Sequence, residues 1–100
     1  MAKGYWLATG TINDPKGFMA YPPAAEAYLE RCGAKIVIRD VHTDVREGKP
    51  GHLTVLIEFP SLEAAKAAYE APEYQEMIKL RTPFSEACVS ILEEGDKLAH

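Results

Sequence analysis

The sequence predicts an α+β sandwich of order βαββαβ, one antiparallel sheet with helices on one face. Three observations carry this. Residues 5–12, 35–39, 52–59 and 87–92 are rich in β-branched and aromatic side chains and alternate between two faces. Between the first and second runs, and between the third and fourth, apolar residues recur at helical spacing. Proline and glycine punctuate the junctions between these runs, at Pro15, Gly33, Pro50-Gly51, Pro60 and Pro83, and the resulting pair of split βαβ units is the ferredoxin-like arrangement.

In the first strand, Trp6, Ala8, Gly10 and Ile12 share one face, and Tyr5, Leu7, Thr9 and Thr11 the other. Asn13 turns the chain, Asp14 suits a helix N-cap, and Pro15 suits the first helical position. Phe18, Tyr21, Ala25, Tyr28, Leu29 and Cys32 then keep one helical phase through Pro22 and Pro23. An interior proline costs about 3 kcal/mol, so this segment reads as a kinked helix or two short helices on one axis. Gly33 is a natural left-handed terminator. Strict alternation in the second strand points Ile36 and Ile38 at the helices and Val37 and Arg39 away from them. Residues 40–47 read as an irregular strand extension or bulge, and residues 47–51, EGKPG, as the turn.

The third strand is the centre of the pattern. Leu53, Val55, Ile57 and Phe59 fall on one face, and His52, Thr54, Leu56 and Glu58 on the other. Pro60 lacks the N–H needed to continue the ladder, Ser61 is a good N-cap, and Glu63 complements the helix dipole. The helix over residues 62–71 presents Leu62, Ala65, Ala68 and Tyr69 to the sheet, its alanines allowing close approach. Pro72 closes it and opens a second helix over residues 72–81, with Tyr74, Met77, Ile78 and Arg81 on one side and Pro83 ending it. In the last strand Val89 and Ile91 oppose Cys88, Ser90 and Leu92. Residues 1–95 form one domain, and 96–100 a frayed tail.

Composition narrows the function classes. A chain of 100 residues that is 47% hydrophobic and 26% charged is an ordinary globule with a modest core. A net charge of −4 without a run of lysines or arginines excludes a nucleic-acid surface. The opening MAKGYWLATG lacks the apolar run of a signal peptide, and no stretch approaches a membrane span, so the expectation is a cytoplasmic protein. Cys32 and Cys88 lack CxxC spacing and read as reduced, mostly buried thiols. The face away from the helices would carry Tyr5, Leu7, Val37, Leu56 and Leu92 beside Thr9, Arg39, Thr54, Glu58, Cys88 and Ser90. That mixture is too apolar for water, which predicts a homodimer formed sheet to sheet around a partly polar cavity.

These elements together resemble the small bacterial family called domain of unknown function 1330, within the dimeric α+β barrel superfamily. The resemblance spans Gly4 to Gly95 and is most specific over residues 57–75, IEFPSLEAAKAAYEAPEYQ. There the family shows a strand, Phe-Pro-Ser, an alanine-rich helix and Glu-Tyr. Asp14-Pro15, Gly33, Arg39 and Arg81 support it. The chain departs at Ala71, where many relatives carry serine, and in the double proline of the first helix. The resemblance implies the fold and the dimer but no activity. Wider relatives include cofactor-independent oxygenases, lactone isomerases and dechlorinating enzymes, all acting on small organic molecules.

The candidate pocket residues are Arg39, His52, Glu58, Tyr69, Tyr74 and Arg81. Alternation places Arg39 and Glu58 together on the dimer-facing side, either as a ligand-binding pair or as an ion pair neutralising two buried charges. His52, with a pKa near neutrality, is a strand-end histidine or a general base. Tyr69, Tyr74 and Arg81 meet where the two short helices join, as core packing or as one pocket wall. Asp40, His42 and Asp44 have ligand spacing, but such a polar segment more often solvates a loop, so no metal is expected and no cofactor either. Two functions follow: a small-molecule binder or enzyme with a polar pocket beside the sheet, or a non-catalytic dimer whose sheet face is only an interface.

Overall fold

A computed structural model describes residues 2–98. The last two residues of the expected tail, His100 included, lie outside the described residues. The elements are β1 (Gly4–Ile12), α1 (Pro15–Phe18), α2 (Tyr21–Arg31), β2 (Lys35–Asp40), β3 (Leu53–Phe59), α3 (Leu62–Glu70), α4 (Pro72–Ile78) and β4 (Ser85–Glu93). The strands form one antiparallel sheet in the order β2-β3-β1-β4. Among the described residues, no helix is long and apolar enough to cross a membrane.

Local chemistry places the starts of α1, α3 and α4 and the end of α2 where the sequence predicts them. The Asp14 carboxylate accepts from the Gly17 N–H at 3.3 Å, with Pro15 opening α1. The Ser61 hydroxyl likewise accepts from the Ala64 N–H at 3.0 Å and caps α3. Ala71 is extended, as a residue before proline prefers, and α4 starts at Pro72. Gly33, at φ 73°, ends α2: its N–H bonds the Glu30 carbonyl and the Ala34 N–H reaches back to Leu29. The double proline lies in the first turn of α2 rather than in a helix interior, so the break falls earlier, at Met19–Ala20. Proline at those positions removes N–H groups that have no helical partner, which is why α2 shows no kink penalty. α4 is shorter than the pattern suggested, because residues 79–84 form successive tight turns.

The second strand departs most from simple alternation. Ile36 pairs with Ile57, but Ile38 pairs with Leu56 and Arg39 with Val55, so a bulge inserts Val37 and reverses the parity. Ile38 therefore lies on the open face, and Arg39 faces the helices, the opposite of what strict alternation gives. β2 stops at Asp40, and residues 41–52 form a loop rather than a strand extension. Within it the Asp40 carboxylate accepts from the His42 N–H at 2.6 Å, and Asp44 pairs with Arg46 at 3.0 Å. No three potential metal ligands converge there or elsewhere among the described residues.

The core lies between the sheet and α2–α4. Trp6, Tyr28, Leu29, Ile57, Phe59, Ala65, Ala68 and Tyr74 are buried together. Two aromatic donors fix α3 onto this core: the Trp6 indole N–H donates to the Ala65 carbonyl at 2.7 Å, and the Tyr28 hydroxyl to the Ala68 carbonyl at 2.8 Å. Both partners are alanines because any larger side chain would hold the helix away from the rings. Cys32 is partly buried, but Cys88 is exposed on the open face, not buried as the sequence reading had it. Ala65 is 0% exposed, so Ala65→Leu should destabilise the fold by about 1–3 kcal/mol in urea unfolding. Lys66→Leu, on the outer side of the same helix, should stay within about 0.5 kcal/mol of the parent.

Candidate functional site

A cavity of about 370 Å³ lies between the helix-facing side of the sheet and α1–α2. Its size is set by small residues at positions that would otherwise fill it: Ala8 on β1, Ala25 on α2 and Ala87 on β4. Alternation turns Trp6, Ala8, Val55, Ile57 and Val89 into its floor, and Phe18, Pro22, Ala25 and Leu29 roof it. At the solvent end stand Met19, 59% exposed, and Val41, 45% exposed. At the deep end is Tyr74, only 2% exposed.

Two polar groupings break the apolar lining. At the rim the Arg39 guanidinium donates to the Glu26 carboxylate at 2.7 Å, each side chain about half exposed (46% and 47%). A pair so open to water contributes at most about 1 kcal/mol. Deeper, the Tyr21 and Tyr74 hydroxyls lie 2.6 Å apart, and the partly buried Arg81 guanidinium stands over the Tyr21 ring at 5.5 Å. Arg81 is held by its backbone: its N–H donates to the Ile78 carbonyl at 3.0 Å, while its own carbonyl accepts from the Phe84 N–H at 3.0 Å and the Ser85 hydroxyl at 2.8 Å.

The electrostatics of the deep grouping are those of a fixed donor set. Burial, then the Tyr21 phenol, push the Tyr74 phenol well above its ordinary value, Arg81 only partly opposing them, so Tyr74 stays protonated at neutral pH. Burial works against the Arg81 charge, but the Tyr74 and Tyr21 hydroxyls outweigh it and keep the guanidinium protonated.

Of the residues expected at a site, Arg39, Tyr74 and Arg81 line this cavity, whereas His52, Glu58 and Tyr69 do not. The expected Arg39–Glu58 pair does not form, because the bulge puts the two on opposite faces; Glu58 pairs instead with Lys3 at 3.2 Å. His52 Nε2 accepts from the Ile12 N–H at 3.4 Å, and Tyr69 stands edge-on to Trp6 at 5.6 Å. The cavity also lies within one chain, on the helix side, rather than on the open face of the sheet where the sequence reading put it. Tyr21 and Glu26 were missed. Tyr21 carried a signal, a polar-tipped aromatic on the buried phase of its helix; Glu26 carried none, since its role depends on the displaced Arg39.

Tyr28 shares the alkaline behaviour, its phenol pushed up to about 12 by burial and then by the Cys32 thiol. Both phenols hold their protons in the folded chain at a pH where those of the unfolded chain, near the ordinary tyrosine value of about 10, are released. Their stabilisation is complete below about pH 10 and is lost as pH rises through the folded values. The urea midpoint should accordingly fall between about pH 10 and 12, and fall less steeply in Tyr74→Phe. A midpoint unchanged across that window would contradict the assignment.

Comparison with known proteins adds the relationship. The model of the family described as Domain of unknown function (DUF1330) matches residues 3–95. No curated protein matches the sequence. Among solved structures, a protein of unknown function from Rhodopseudomonas palustris superposes with a TM-score of 0.73 at 17% identity, over 95% of this chain and 84% of that one. SnoaB, a cofactor-independent oxygenase from Streptomyces nogalater, gives a TM-score of 0.64 in a mutant form at 16% identity, covering 98% of each chain. A dimeric protein of unknown function and ferredoxin-like fold from Bacteroides fragilis gives 0.61 at 16% identity, over 92% of this chain and 96% of that one. At such identities the likeness shows the ferredoxin-like fold alone.

Proposed function

The chain belongs to the family described as Domain of unknown function (DUF1330), and we propose that it binds a small organic molecule in the cavity between α1–α2 and the sheet, as a cytoplasmic two-fold dimer. The observation that carries the binding reading is the cavity itself. A void of about 370 Å³ lined chiefly by Trp6, Phe18, Leu29, Val55 and Ile57, with convergent Tyr21, Tyr74 and Arg81, has the make-up of a ligand site. A purely structural core would close such a void, because unfilled space forfeits packing energy. That SnoaB, of the same fold, is a cofactor-independent oxygenase is consistent with small-molecule work here, and gives no reaction to this chain.

The dimer reading rests on the open face. Leu56 pairs across the sheet with Leu7 and Ile38, while Ile38 is 48% and Leu92 40% exposed, an apolar surface that a second copy would cover. The dimeric Bacteroides neighbour supports it. The two unpaired thiols support a reducing compartment.

Light scattering at micromolar concentration should give about 22 kDa, twice the chain mass of 11.0 kDa, and a clean monomer would remove the dimer. For the cavity, the single tryptophan gives one indole N–H resonance, and Trp6 lies in the floor. Members of a broad panel of small organic molecules should move that resonance saturably, and Ala87→Phe, narrowing the cavity from its exposed side, should abolish the shift. A panel without one saturable shift would overturn the binding reading.

A further inference from the structure

The polar end of the cavity carries more N–H and O–H donors than acceptors, and no negative charge. A guanidinium only donates, and the two phenols make one mutual hydrogen bond at 2.6 Å, which leaves one O–H proton over. Among the described residues no acceptor takes that proton, and no carboxylate pairs with Arg81. The two carboxylates that line the cavity are engaged elsewhere: Glu26 with Arg39 at 2.7 Å, and the exposed Glu86 with the Asn13 amide at 3.4 Å. Arg81 thus has neighbours for its N–H groups but no counter-charge, and a partly buried cation in an apolar enclosure is costly until an anion joins it.

Resting on the cavity reading above, we propose that the ligand is a small apolar acid whose carboxylate sits against Arg81 and the Tyr21–Tyr74 pair. One uncompensated positive charge and one spare O–H match a planar monoanion that accepts and never donates. A phosphate dianion would lack a second cation, since Arg39 is already paired with Glu26. The remaining lining, Trp6, Phe18, Ala25, Leu29 and Val89, takes the hydrocarbon body, and about 370 Å³ limits that body to roughly one or two rings.

The test compares naphthoate with the methyl naphthyl ketone of the same ring position, each titrated into the full chain while the Trp6 indole resonance is followed. Both should move it, the carboxylate binding about tenfold more tightly or better. Arg81→Gln should abolish that preference, weakening the carboxylate far more than the ketone; Tyr21→Phe should reduce it. Equal affinity of the two probes for the parent protein, which needs no variant to fold, would overturn the acid assignment and leave the cavity reading standing. A preference that survives Arg81→Gln would overturn the role given to Arg81. If neither probe moves Trp6, this pair of probes overturns the acid assignment, while the panel above decides the cavity reading separately.

Discussion

The hydrogen bond from the Trp6 indole to the Ala65 carbonyl sets the spacing on which the other layers depend. A large ring on the central strand β1 is buried, and its one polar atom needs a partner. The partner is a helix carbonyl, so α3 must lie close to the sheet, which the small side chains of Ala65 and Ala68 permit. With α3 held there, Phe59 and Tyr74 meet Trp6 with ring centroids 4.9 and 4.8 Å away, and the ring also serves as cavity floor. Loss of the close approach would strand a buried donor, at about 1–3 kcal/mol.

A second constraint joins the two halves of the fold. The Phe84 carbonyl accepts from the N–H groups of Asn13 and Asp14 at 2.8 and 3.1 Å, and its ring lies so close to Gly17 that a β-carbon there would come within 2.4 Å of it. The turn that carries Arg81 is thereby fastened to the start of α1, the segment that leads to Tyr21. Tyr21 and Tyr74 belong to different βαβ halves, 53 residues apart in sequence, and touch because this clamp aligns the halves.

Most of the fold was legible because its signals are local. Asp14, Ser61, Gly33 and the Ala71-Pro72 step act within a few residues of themselves, and one sequence suffices to read them. The site was legible only in part. Tyr74 and Arg81 were within reach because each lies on or just after a helix whose phase is plain. Arg39 was assigned to the wrong side because a bulge is a property of two paired strands, and alternation along one strand cannot reveal an inserted residue. The error carried Glu58 with it. The cavity itself was invisible for a related reason: Ala8, Ala25 and Ala87 look like ordinary small core residues, and only their convergence in space leaves room among them.

β4 borders two compartments at once. Ser85, Ala87 and Val89 line the cavity, while Cys88, Ser90 and Leu92 look out from the other side of the same ribbon. A strand is one residue thick, so its two faces share a single backbone with nothing packed between them. Whatever lies against Val89 from within and whatever covers Cys88 and Ser90 from outside therefore bear on the same stretch of backbone, so the outline of either surface depends on the placement of one strand.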